Sequence, residues 1–163
     1  LLQIDFLTEL FTLAKEKGIH TTLDTSANPF DPDSPEFMDK FEKLMTVTDL
    51  VMLDIKEMDP EKHKALTGQT NDNIRALADW LSDHGKAMWI RHVLVPDLTD
   101  DEEGLQALRA KLDQWTNVER VEILPYHTLG LFKWENLGIV YPLEGVRTPT
   151  REEVEKAEKI LGI

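Results

Sequence analysis

Seven residues of this sequence have types and places suited to chemistry: Asp24, Thr25, Asp54, Lys56, Arg91, Tyr126 and His127. The segment DLVMLDIKEMD, residues 49–59, shows why they stand out. Leu50 to Leu53 read as an interior strand, yet the run ends with an acid and a base two residues apart. Side chains alternate along a strand, so Met52, Asp54 and Lys56 share one face, and Val51, Leu53 and Ile55 share the other. One face is wholly apolar; the other turns charged as the strand ends. Lys56 and Arg91 could grip a carboxylate, and Asp24 or Asp54 an ammonium group or a cation. The set suits a zwitterionic or carboxylate-bearing ligand. Each residue also has a plain structural use. Asp24 can cap a turn, Asp54 and Lys56 can form a local ion pair, Arg91 can pair with Glu122, and His127 can bond a loop carbonyl.

Periodicity identifies the helices and strands that carry these residues. QIDFLTELFTLAKEKGIH reads as a helix with Phe6, Leu7, Leu10, Phe11 and Ala14 on one stripe, Asp5 as its N-cap and Gly18 just past its end. IHTTLDT is a short strand rich in β-branched residues. NPFDPDSP is a turn-rich connection, and Ser34-Pro35 opens a second helix carrying Phe37, Met38, Phe41, Leu44 and Met45 on one side. The strand DLVMLDIK is next. After it come a short helix stopped at Gly68 and a longer one with Ile74, Leu77, Ala78 and Leu81 inward. KAMWIRHVLVP is a third strand, DDEEGLQALRAKLDQW a helix with acids at its positive end, and VERVEILP a fourth strand. The closing helix has Thr150 and Glu153 spaced for a capping box.

Four strands alternating with helices about 30 to 35 residues apart are βα units and imply a parallel sheet in a single domain spanning residues 1–163. Length favours a doubly wound sheet, since a closed eight-fold barrel needs about 250 residues. The polar residues favour a barrel, whose sites draw on the ends of several strands: Asp24 and Thr25 after the first, Asp54 and Lys56 after the second, Arg91 in the third, Tyr126 and His127 past the fourth.

Composition narrows the chemistry. Lys and Arg total 18 against 31 Asp and Glu, a net charge of −13, which repels nucleic-acid backbones and anionic lipid. With no cysteine, the 163 residues contain no disulfide, no cysteine nucleophile and no thiolate ligand for a metal or iron–sulfur cluster. No apolar run reaches the roughly 20 residues of a membrane span, so a cytoplasmic location is expected. The opening residues lack a signal-peptide pattern and an initiator Met, so the chain is expected to begin inside a larger protein. The glycines are scattered, with no phosphate-binding loop. His20, His63, His84 and His92 show no ligand spacing and read as structural or surface residues, and the four Trp as core.

LDT at 23–25, VTDLVMLDIK at 47–56, WIRHVLVP at 89–96 and VEILPYHTLGLFKWENLG at 121–138 together resemble the pyruvate formate-lyase activating enzymes, of the radical S-adenosylmethionine (SAM) superfamily. The resemblance covers essentially the whole chain. It implies an α/β fold, part of a six-stranded partial (β/α) barrel of radical SAM type, here with about four parallel strands. It implies SAM and a 4Fe-4S cluster as cofactors, a 5′-deoxyadenosyl radical, and hydrogen abstraction from a glycine of pyruvate formate-lyase. An electron donor such as flavodoxin or ferredoxin is implied too, with a monomeric parent. The family's cluster loop, CxxxCxxC, and its GGE segment are absent from this sequence, and LLQ resembles the residues just after GGE. The chain is therefore expected to be the C-terminal two-thirds of such an enzyme and inert by itself. The resemblance assigns SAM contact to Asp54, Lys56 and His127. It assigns a monovalent cation site to Asp24, Thr25, the Met52 carbonyl and Asp54, and makes Arg91 face SAM or the incoming glycine.

Other chemistries stay open on the residues alone. Lys56 could be a Schiff-base nucleophile in an aldolase-like enzyme. Asp24, Asp54 and His127 could serve a metal hydrolase, without the usual paired histidines. A non-catalytic SAM- or partner-binding module would need only the rim.

Overall fold

The computed structural model describes residues 1–163. Helix α1 (Ile4–Glu16) leads into strand β1 (Thr22–Thr25), then α2 (Pro35–Thr46) and β2 (Leu50–Asp54). Two helices, α3 (Pro60–Thr67) and α4 (Asp72–Asp83), precede β3 (Met88–Leu94). Then come α5 (Glu102–Leu112), β4 (Val118–Pro125), α6 (Leu131–Leu137) and α7 (Arg151–Leu161). None of these helices is long and apolar enough to cross a membrane.

The helix ends obey local chemistry. Ser34 accepts a hydrogen bond from the N–H of Phe37, Asp59 from those of Glu61 and Lys62, and Asp101 from that of Gly104. Thr150 and Glu153 form a complete capping box. Gly68 closes α3 at φ +76°, in the left-handed region. Asp5 departs from expectation. Gln3 holds the cap position of α1, while Asp5 sits in its first turn and pairs with Lys40 at 2.9 Å.

All four strands are parallel, in the order β1-β2-β3-β4. This order decides between the two architectures. A doubly wound sheet reverses direction at a switch point; here each connection advances one strand the same way. Right-handed crossovers then place every connecting helix on one face, as in a barrel. Burial agrees. On the helix-covered face Val51, Leu53, Met88, Ile90 and Leu94 are completely buried, packed with Phe41, Leu44, Leu77, Leu81 and Leu108. On the other face Met52, Asp54, Trp89, Arg91 and Val93 are half-buried, and Asp24 and Arg120 are exposed. The sheet is an open segment of barrel wall, with a bare, charged concave side.

Two elements differ from the periodicity. The predicted stripe of α1 splits: Ile4 is buried and Leu7 and Phe11 pack on the core, while Phe6, Leu10 and Leu13 are exposed. The helix lies beside the edge strand and packs mainly on α2, so only part of its apolar surface finds cover. Helix α6, which follows β4 and is only seven residues long, carries too little helical period to be read from sequence.

Candidate functional site

The register of the sheet assembles the charged residues on the bare face. Asp24 lies beside Met52, and Asp54 beside Arg91. Arg91 reaches along the wall to both acids. Its Nη2 is 2.8 Å from Asp54 Oδ1, its Nε donates to the same oxygen at 3.0 Å, and its Nη2 also donates to Asp24. Burial opposes the Arg91 charge, but Asp54 and Asp24 outweigh it and hold the guanidinium above its ordinary pKa. Arg91 does not pair with Glu122, its neighbour on β4; Arg120 pairs with Glu122 at 2.6 Å and stacks over Trp89. Asp24 caps no turn, and Asp54 makes no ion pair with Lys56.

Lys56, two residues past the end of β2, has no carboxylate partner within ion-pair distance, so it stands apart from that network. It borders two hollows at the C-terminal rim. One is a polar cleft of about 150 Å³, lined by Asp54, Lys56, Asn28, His63, Thr67 and Asn73 among others. The other is a more apolar chamber of about 430 Å³, where Lys56 and Thr67 meet Val93, Val95, Tyr126 and Trp134. The hydroxyls of Tyr126 and Tyr141 lie 2.7 Å apart at this chamber. Burial first, and the Tyr126 hydroxyl second, push Tyr141 up to about 12.

The remaining predicted residues are placed differently. Thr25 is buried on the helix side, where its hydroxyl accepts the N–H of Ala27 at 3.0 Å and holds the loop after β1. Met52 is half-buried on the bare face between Asp24 and Trp89. His127 is exposed past β4, beside Tyr126 but apart from the Asp24–Arg91–Asp54 network. No group of three or more His, Cys, Asp and Glu is arranged to hold a metal ion. Asp24 and Asp54 spend their charge on Arg91.

Among the histidines read as structural, His92 is one: buried, with Nδ1 3.0 Å from the Ile55 carbonyl and Nε2 2.9 Å from that of Thr99. His63 is different, because it lines the polar cleft with Lys56 and Asp54. Sequence reasoning passed over it because a lone histidine in a helix carries no spacing signal. The available clue was the short path from Lys56 to the Asp59 cap, which sets the first turn of α3 over the end of β2.

Comparison with known proteins gives a consistent family. A family model described as the radical SAM superfamily matches residues 1–108. A pyruvate formate-lyase-activating enzyme of Streptococcus mutans is 59% identical over 160 residues, covering 98% of this chain and 60% of that protein. One from Listeria monocytogenes is 50% identical over 161 residues, covering 99% of this chain and 64% of that protein. The chain thus spans under two thirds of the length of these relatives. Among solved structures, a domain of pyruvate-formate lyase-activating enzyme from Bacteroides vulgatus aligns with a TM-score of 0.79 at 20% identity, over 99% of this chain and 86% of that one. Coproporphyrinogen III oxidase from Escherichia coli, a radical SAM enzyme, aligns with a TM-score of 0.65 at 13% identity, over 98% of this chain and 37% of that one. Both structural likenesses speak to the fold.

Proposed function

The chain belongs to the radical SAM superfamily, and on that premise we propose that it is the C-terminal part of an activating enzyme that installs a glycyl radical on pyruvate formate-lyase. Two relatives of that name, 59% and 50% identical over nearly the whole chain, support the reading. SAM with a 4Fe-4S cluster supplies the radical chemistry when both are bound. These 163 residues contain no cysteine and do not fit the cluster. Their share of the work is to bind and orient SAM and to receive the glycine segment.

The observation that carries this reading is the unpaired Lys56. Of the two charged groups lining the polar cleft, Asp54 is committed to Arg91 and Lys56 is not. The cleft therefore offers one free positive charge, suited to the carboxylate of an amino acid. The apolar chamber beyond Lys56 suits a ring-bearing remainder, and His127, which follows Tyr126 in the chain, contacts the same ligand in this reading. Arg91 and the bare face look toward SAM or the incoming glycine. In the same reading a monovalent cation sits among Asp24, Thr25, the Met52 carbonyl and Asp54, which requires Arg91 to release one carboxylate. An electron donor such as flavodoxin or ferredoxin, a monomeric parent and a cytoplasmic setting complete the proposal.

Calorimetry with SAM tests it on this chain. Lys56→Gln is expected to weaken binding by tenfold or more, since a hydrogen bond to a charged group contributes about 1.5–3 kcal/mol. Equal affinity in both proteins, or no binding by the wild type, refutes the assignment. The same unpaired Lys56 would suit a Schiff-base enzyme. Borohydride trapping of a carbonyl compound on Lys56 would favour that rival.

A further inference from the structure

The cleft contains a second polar group whose hydrogen bonding is incomplete. His63, in the first turn of α3, is only 3% exposed, and its Nδ1 is buried without a hydrogen-bond partner. Burying a polar atom without a partner is costly, and such atoms are few in native proteins. The fold treats its other buried or helix-bound histidines differently. His92 sets both ring nitrogens against carbonyls, and His84 Nδ1 lies 2.8 Å from the Trp80 carbonyl. His63 alone is buried and left short, and it is the one that lines the cleft beside Lys56.

We propose that His63 is a ligand-binding residue of this cleft: its imidazole N–H donates to the carboxylate of the amino-acid end that Lys56 attracts. The inference rests on the SAM reading of the cleft and adds a residue to it. Geometry supplies the site, since a rigid helix turn holds the ring at the wall of a polar hollow. Electrostatics agree: burial lowers the His63 pKa most, the backbone and the carboxylate of buried Glu57 oppose it, and the Lys56 charge adds to the lowering, so the ring stays neutral and keeps both an N–H and a lone pair. A carboxylate entering the cleft would neutralise the field of Lys56 and accept the N–H. Two donors from two elements would fix its plane as well as its position. Lys56 alone, on a flexible stem, fixes only a point charge.

The test compares SAM with its decarboxylated analogue by calorimetry, using wild type, His63→Ala, His63→Asn and Lys56→Gln. His63→Ala is expected to weaken SAM about tenfold while binding the decarboxylated analogue as wild type does. His63→Asn, which keeps an N–H near the place of Nδ1, is expected to recover most of the loss. If His63→Ala does not fold, the wild-type His63 ring nitrogens, tracked by NMR, are expected to shift on adding SAM and stay still with the analogue. Unchanged SAM affinity in His63→Ala beside a weakened Lys56→Gln overturns the role of His63 and leaves the SAM reading standing. Equal losses for both compounds in His63→Ala mark a structural role and also overturn it. Unchanged affinity in all three variants overturns both readings.

Discussion

Arg91 holds two carboxylates, and the two should differ greatly in worth. Asp54 is about four-fifths buried and receives two guanidinium contacts on one oxygen, at 2.8 and 3.0 Å. Asp24 keeps 55% of its side chain exposed. Exposed pairs contribute about 0–1 kcal/mol, and breaking a fully buried pair costs about 3–5 kcal/mol. The Arg91–Asp54 pair lies between, so a double-mutant cycle with Arg91→Met and Asp54→Asn should give a coupling of about 1–2 kcal/mol. Arg91→Met alone leaves Asp54 half-desolvated without a counter-charge and should cost about 2–3 kcal/mol. In a chain of 163 residues, about 2–4 °C of Tm goes with each kcal/mol. Asp24→Asn should cost less than about 1 kcal/mol. Urea unfolding monitored by tryptophan fluorescence reads all of these proteins. A coupling under about 0.5 kcal/mol, or a loss in Asp24→Asn equal to that in Asp54→Asn, would overturn this ranking, because burial would then not set the strength of the network.

Other consequences are as direct. Asp49 takes the Lys15 ammonium and then the Thr21 backbone N–H, and these hold its carboxyl well below the usual range. Glu153 is lowered to about 2 by Arg147 and the Thr150 N–H. Both folded values are depressed, so their stabilisation is complete above the unfolded pKa of about 4 and fades as pH falls toward the folded values. Glu153→Gln should flatten the decline of Tm between about pH 4.5 and 2, and an unchanged slope would contradict the pairing. Leu53→Ala, at a completely buried position, should lose about 2–5 kcal/mol in urea unfolding. Phe6, Leu10 and Leu13 leave one side of α1 exposed, with exposed Leu2 just before it. Self-association at high concentration is expected and should be reduced by Phe6→Glu; light scattering of a clean wild-type monomer would count against it.

What the sequence disclosed and what it hid divide along a physical line. Several helix ends were legible because caps are local: Ser34, Thr150 and Gly68 each act within a few residues of their partners, as do Asp59 and Asp101, which the structure adds. Strand faces were legible too, since alternation alone puts Asp54 and Lys56 opposite Leu53 and Ile55. Pairings across the sheet were not. Arg91 pairs with Asp24 and Asp54 while Arg120 takes Glu122, and neither fact is written near Arg91. Strand order was undecided between two architectures, since the same βα alternation serves both. His63 was hidden for the reason that Asp5 misled: the importance of each depends on what a distant element places beside it. The family resemblance gave Asp54, Lys56 and His127 one role, contact with SAM, whereas in the fold Arg91 neutralises Asp54 and Lys56 is left a free base.

The one-sided cover of the sheet gives every strand two independent constituencies. Residues such as Val51, Leu53 and Ile90 answer to the helices, and almost any change there is felt as lost packing. Their immediate chain neighbours Met52, Trp89 and Arg91, and Arg120 and Glu122 on β4, answer mainly to one another and to whatever enters the trough. Substitutions on that side can therefore reshape the charge and contour of the wall while the hydrophobic layer behind it stays as it was. A protein built in this way can change what its open face presents one alternate residue at a time without first having to learn to fold again.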